Sequence, residues 1–159
     1  MYNCAKQIPR VLSQFSQHVQ SFFTEILVVD NGSKDDSLVA AEQALAKLEN
    51  IKTTLLQNSE NYSLGGSHKV AFNYAIDNSF DYVIVLHGDD QASIEDMLPQ
   101  IESNNYNNYD SLLGSRFHYG SKLVGYSLFR TYGNIVFNLF LFFIYRSIGN
   151  RYGLRIEFV

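Results

Sequence analysis

The chain has 159 residues, 46% of them hydrophobic and 18% charged, and a formal net charge of −4 at pH 7. That length is about one domain with a sizeable core, the composition is that of a folded chain, and the acidic balance excludes a nucleic-acid binder working through a basic face. A single cysteine, Cys4, excludes an internal disulfide and fits a reducing compartment, and the N-terminus lacks the pattern of a secretory signal.

Taken in chain order, the apolar positions Ile8, Val11, Leu12, Phe15 and Val19 have the spacing of an amphipathic helix over 8–23, with Pro9 near its start. Glu25–Asp30 is a short apolar run stopped by Asn31-Gly32-Ser33, which predicts a buried strand and a turn. Asp35 or Asp36 is placed to cap a following helix that runs through 40–48. A second strand is expected over 51–57, a polar loop with two glycines over 58–66, and a helix over 67–76. The run 82–86 predicts a third, buried strand, 94–101 a short helix, and 111–116 a strand ending in a loop. Strand and helix alternating in this way imply an α/β fold, a mostly parallel sheet flanked by helices, with ligands at the carboxyl ends of the strands.

The polar clusters fall at those ends. Asp30, Asn31 and Ser33 follow one strand, His87, Asp89, Asp90 and Gln91 the next, and Ser115 and Arg116 the last. Asp30-Asn31-Gly32 also reads as a plain turn and helix cap, and His87-Gly88-Asp89-Asp90 as a capped turn. The second acid, however, adds repulsion that a cap does not need. Two adjacent carboxylates become favourable when a divalent cation sits between them and a phosphate-bearing ligand, as magnesium or manganese does. Lys69 is a further phosphate candidate or a solvated helix lysine.

Four ordered motifs, Asp30-Asn31-Gly32-Ser33, the loop Asn61-x-Ser63-x-Gly65-Gly66, the strand ending in Gly88-Asp89-Asp90-Gln91, and Leu113-Gly114-Ser115-Arg116, together resemble family 2 glycosyltransferases. The branch most similar includes dolichol-phosphate mannose synthase and polyprenyl-phosphate sugar transferases. The resemblance covers nearly the whole chain and implies an inverting enzyme of the GT-A type, a Rossmann-like sheet that binds a nucleotide-diphosphate sugar. It implies that Asp30 and Asn31 contact base and ribose, with Asn31 standing where the family has a second Asp. It also implies that His87-Gly88-Asp89 is the family's metal-binding acid pair with His87 in the first place, so that Asp89 is the dependable ligand to Mg2+ or Mn2+. His87 is then a ligand, a support to one, or a substrate contact, and Gln91 completes the shell. Arg116 and Arg130 match the pair that grips phosphates, for which a guanidinium fork is suited. A helix-face arginine is the alternative for Arg130.

These readings make Asp89, Arg116 and Arg130 the candidate catalytic residues and Asp89, Gln91 and His87 the candidate metal ligands. Tyr2, Asp30, Asn31, Ser33, Lys69, Gly88 and Asp90 are the candidate nucleotide-sugar contacts. A lipid-phosphate acceptor is already an anion, whereas a sugar hydroxyl needs a carboxylate base, and none is evident after Arg116. The family opens with a strand ending in Pro-x-Tyr-Asn, so Tyr2 and Asn3 match the end of a first strand, and the chain is expected to lack that strand and to stop before the family's membrane or acceptor segments. The expected organisation is a nucleotide-sugar-binding domain over 1–118 and an aromatic helical segment over 119–159. The apolar run 135–145 is too short to span a bilayer but suits a membrane interface, or docking within a soluble domain. The function expected is sugar transfer to a polyprenyl-phosphate or glycan acceptor at the cytoplasmic face of a membrane, in cell-envelope glycan synthesis. The alternatives are a binding fragment without turnover, and a nucleotidyltransferase, whose Gly-rich phosphate loop is not found here.

Overall fold

The spacing that predicts one helix over 8–23 makes two short ones in the computed structural model, which describes residues 1–114 and positions 129, 132, 133, 136, 137 and 139. Helix α1 spans Ile8–Ser13 with Pro9 in its first turn, and α2 spans Gln17–Gln20. The break falls at Ser16, whose backbone is extended and whose hydroxyl accepts the Val19 N–H at 3.4 Å. Serine favours a cap over a helix interior. The apolar stripe survives the break: Ile8, Val11, Leu12, Phe15 and Val19 are all buried.

Strand β1, Glu25–Asp30, lies parallel to β2, Lys52–Gln57, in a register that sets Glu25 opposite Lys52 and Asp30 opposite Gln57. Helix α3, Ser37–Leu45, connects them and packs on α1. It is held at its start by Asp35, whose carboxylate accepts the Ser37 hydroxyl, the Ser37 N–H and the Ala5 N–H. The Ser37 hydroxyl, more than any other contact, keeps the Asp35 carboxyl below its ordinary pKa. Asp36 occupies the cap position itself without a side-chain cap bond. Ile26 and Val28 of β1, Ala41, Ala44 and Leu45 of α3, the α1 stripe and Ile94 form one core. Each large aliphatic chain so buried contributes roughly 1.5–3 kcal/mol.

Helix α4, Ser63–Asp77, begins four residues before the expected start, taking Gly65 and Gly66 into its first turns. A larger difference concerns 82–86, expected as a buried strand. The segment pairs with no strand among the described residues, and Tyr82, Val83, Ile84 and Val85 are all exposed. An apolar run of this length specifies a strand only where a neighbour supplies the ladder. The expected strand over 111–116 is likewise absent over 111–114, where Leu113 is 90% exposed, and its remainder lies outside the described residues. The sheet among the described residues is therefore the single parallel pair. The expected helix over 94–101 is a 3-10 turn, Ile94–Met97, leading into α5, Leu98–Glu102.

By contact density the chain divides into two units, Met1–Ser111 and Leu112–Val159. In the second, the described positions Phe129, Tyr132, Val136, Phe137 and Leu139 are helical and each more than half exposed. No helix among the described residues is long and apolar enough to cross a membrane.

Candidate functional site

Two polar clusters adjoin at the carboxyl end of β1. The first is built on Asp30, which is fully buried. Its carboxylate accepts the Ser33 hydroxyl and, at 3.1 Å, the Ser33 N–H, while Gln57 Nε2 approaches at 3.5 Å. The turn closes through Gly32 at φ +73°, a left-handed position that glycine takes without steric cost. Ser33 Oγ in turn accepts the Asn3 N–H at 2.9 Å, and Asn3 Oδ1 accepts the Lys34 N–H at 2.9 Å.

Asn31, 6% exposed, spends its amide on the neighbouring loop. Its Oδ1 accepts from Asn58 Nδ2 at 3.0 Å and from the Tyr62 N–H at 2.8 Å, and its Nδ2 donates to Asn61 Oδ1 at 2.9 Å. Asn58 is the hub between strands: its N–H donates to the Asp30 carbonyl at 2.8 Å, and its Nδ2 also reaches Ser67 Oγ at 3.2 Å. The amides thus tie the end of β1 to the start of α4. A ligand contacting Asp30 or Asn31 would exchange bonds that the protein now makes with itself.

The second cluster is the loop 88–94. Asp89 is exposed, and among the described residues its Oδ1 accepts the Gln91 N–H at 3.2 Å. Asp90 has a left-handed backbone at φ +61° and an ion pair with Arg10 of α1, Nε to Oδ2 at 2.6 Å. With Arg10 60% and Asp90 26% exposed, such a pair contributes about 0–1 kcal/mol to stability. One turn along from Arg10, Gln14 Oε1 accepts the Ile94 N–H at 2.9 Å and the Ser93 hydroxyl at 3.2 Å. His87 is exposed, and its ring lies near that of His68 of α4, centres 5.9 Å apart and planes tilted by 51°.

Met1 joins the clusters. Its amino group donates to the Val29 carbonyl at 2.6 Å and its carbonyl accepts the Asn31 N–H at 2.9 Å, the bonding pattern of one parallel bridge beside Asp30. On its other side a Cβ built on Gly88 would lie 2.9 Å from Met1 Cβ, so only glycine fits there without a shift. Asp30, Asn31, Ser33 and Gly88 are thereby brought to one end of the sheet, with Met1 as the link between them.

Of the other expected residues, Tyr2 is 41% exposed and Lys69 lies exposed on α4. Arg116 and Arg130 lie outside the described residues. Arg10, Gln14 and Asn58 carry roles the motifs did not reveal. Asn58, a polar residue directly after a strand, repeats the placement of Asn31 and was findable; Arg10 and Asp90, 80 positions apart, were not. An open groove of about 560 Å3 lined by Asp81, Tyr82, Asn107, Asn108, Tyr109 and Asp110 shares no residue with either cluster.

No three His, Cys, Asp or Glu side chains among the described residues are grouped to hold a metal ion. With Asp90 engaged by Arg10, the loop offers the Asp89 carboxylate and, beside it, the His87 imidazole. That donor set does not form a protein cage, but it suits a cation whose remaining positions are filled by phosphate oxygens and water, the usual habit of magnesium.

A parallel β-α-β unit with acids and amides gathered beyond its carboxyl ends is an α/β domain with the ligand-binding layout of that class. The family model of glycosyl transferase family 2 matches residues 1–157, and the chain belongs to that family. Comparison with curated proteins and with solved structures gives no match.

Proposed function

We propose that this chain binds a nucleotide-diphosphate sugar across the carboxyl end of β1 and transfers the sugar, with inversion, to a polyprenyl-phosphate or glycan acceptor. The observation that carries the reading is the shared contact of Met1 with both clusters, which sets the Asp30–Asn31 turn beside the Asp89 loop in a family 2 domain. The base and ribose are assigned to Asp30, Asn31, Ser33 and Tyr2, and the diphosphate to the Asp89 loop with Gly88, Lys69, Arg116 and Arg130. Asp89, with His87 and Gln91 beside it, would hold Mg2+ or Mn2+. When bound, that ion supplies positive charge against the leaving diphosphate. The arginines supply the same charge from the protein side, through forks that stay protonated at every working pH.

A phosphate acceptor is already an anion and would need no general base, whereas a saccharide hydroxyl would need a carboxylate to take its proton. The exposed apolar positions Phe129, Tyr132, Val136, Phe137 and Leu139 support placing the second unit at a membrane surface, on the cytoplasmic side where nucleotide sugars are met. Flotation with liposomes tests this: a chain left wholly in the soluble fraction removes the membrane part of the reading.

Calorimetry with UDP, GDP and their sugars, with and without MnCl2, tests donor binding. Asp89→Asn is expected to abolish the metal-dependent part of the affinity while leaving the fold intact; equal affinity in the mutant would refute the assignment. A second reading, a nucleotide-sugar binder without turnover, draws on His87 in the place of an acid and on Asp90 committed to Arg10. Sugar transfer to a polyprenyl phosphate in the same preparations separates the two.

A further inference from the structure

Among the described residues, the loop that carries Asp89 is gripped at Gly88, at Asp90 and at Ser93–Ile94, none of which is Asp89 itself. Gly88 abuts Met1, Asp90 is paired with Arg10, and Ser93 and Ile94 donate to Gln14. Beyond that last point the Ile94 side chain, 2% exposed, is sunk in the core with Ile8, Val11 and Leu12. Arg10 and Gln14 are four positions apart, so the turn of α1 and its C-terminal cap present them along one side, matching the span from Asp90 to Ile94. Arg10 is itself braced, because Nη1 donates to the Lys6 carbonyl at 2.7 Å.

We propose that Arg10, with Gln14, is a positioning residue that sets the conformation of the loop 88–94 and keeps Asp89 as its carboxylate free for a ligand. Without the ion pair, Asp90 is held at φ +61°, a conformation uncommon for most residues other than glycine, only by its neighbours in the loop and by the modest left-handed preference of aspartate. Two like charges would then share a short, mobile loop. With the pair made, Asp90 is neutralised toward α1 and Asp89 stands apart from it, its position defined before any ligand arrives. The role is that of an outer partner that orients a ligating group, whose loss in known sites weakens metal affinity about 10- to 100-fold. The claim about loop conformation stands alone; the claim about affinity rests on the donor-binding reading above.

The test uses the full chain and Arg10→Ala, Arg10→Lys, Asp90→Asn and the Arg10→Ala/Asp90→Asn double variant. Backbone 15N relaxation of the free proteins reads the amides of residues 88–91. Arg10→Ala and Asp90→Asn are both expected to lower their order parameters from about 0.85 toward 0.6 or below, with thermal midpoints little changed. Calorimetry with MnCl2 plus UDP or GDP is expected to show about 10-fold weaker binding in each single variant, no further loss in the double, and partial rescue in Arg10→Lys. Unchanged order parameters in both single variants overturn the positioning role whatever the ligand data show. Additive losses in the double variant overturn it too, since the two residues would then act separately. A wild-type chain that binds no nucleotide removes the donor-binding reading instead, and the relaxation data still decide the role of Arg10.

Discussion

Replacing Asn31 by Asp isolates what the amide at this position does. Asn31 makes three side-chain hydrogen bonds at 6% exposure: two accepted, from Asn58 Nδ2 and the Tyr62 N–H, and one donated, to Asn61 Oδ1. An Asp side chain keeps the two acceptor bonds and sets its second oxygen against Asn61 Oδ1, acceptor to acceptor. Asn61 cannot turn its amide to help, because the same Oδ1 accepts the Ser63 N–H at 2.8 Å. The lost bond costs about 0.5–1.5 kcal/mol, and a second buried charge next to the fully buried Asp30 adds a penalty only partly offset by stronger acceptor bonds. We expect a net loss of about 2–4 kcal/mol near neutral pH, or roughly 5–15 °C in thermal midpoint for a domain of this size.

The sign of the pH dependence makes the reasoning refutable. Burial and repulsion raise the folded pKa of the new carboxyl above its unfolded value of about 3.9, so the native state holds the extra proton. Stability of Asn31→Asp relative to wild type therefore falls as pH rises through that raised value, and recovers as pH drops, when the protonated oxygen can donate to Asn61. Asn31→Ala, which leaves the Tyr62 N–H without its acceptor, has a cost independent of pH. Urea unfolding followed by circular dichroism at about pH 5 and about pH 8 compares them. A cost for Asn31→Asp that is absent at the higher pH, or flat across the range, would show that the amide's donor is not what the site requires.

Glu25 has a side chain only 3% exposed, and burial alone would push its carboxyl up, yet hydrogen bonds from Thr54, Tyr74 and Lys52 outweigh that and hold it below its ordinary pKa. Its contribution is present above the unfolded value of about 4.3 and is lost as pH falls from there through the lowered folded value. Glu25→Gln should cost about 1–3 kcal/mol at neutral pH, shrinking toward about pH 3, and a difference that does not shrink on acidification contradicts the account. Gly32→Ala meets both a left-handed φ of +73° and backbone atoms of Glu60 and Asn61 at 3.1 and 3.2 Å from the new Cβ. A loss of about 1–3 kcal/mol is expected. Gly65→Ala, inside α4 with nothing within 4 Å of its Cβ, should instead gain about 0.5–1 kcal/mol, and chemical unfolding that reversed this order would undo both assignments.

The parts of the fold that could be read in advance are those whose signals are local. Strand β1 begins and ends where expected because an acid and an Asn-Gly turn bracket an apolar run, and the α1 stripe is buried because its spacing admits one face. The segment 82–86 carries the same apolar composition without a partner strand among the described residues, and composition cannot say whether a partner is present. Gly65 and Gly66 argued for a loop, but the bonds that Asn31 makes to Asn61 and Tyr62 hold the chain at the start of α4 and override that weak propensity. At the site, the placement of Asp30, Asn31 and Ser33 was readable from the strand end, while their commitment to one another and to Asn58 depends on loops 30 positions away.

Glu25 also settles how the two strands align. Strand β2 shows intermediate burial at four successive central positions, so it lacks the clean inside-outside alternation that usually penalises a slipped pairing. Lys52 and Thr54, two apart and so on one side of the strand, both reach the Glu25 carboxylate, which Tyr74 approaches from α4. Sliding β2 by one residue would offer that buried carboxylate Thr53 and Leu55 instead, stranding a charge with at most one donor from the strand. The alignment of the parallel pair, and with it the meeting of Asp30 with Asn58, is thus encoded by a polar lock at the far end of the strands.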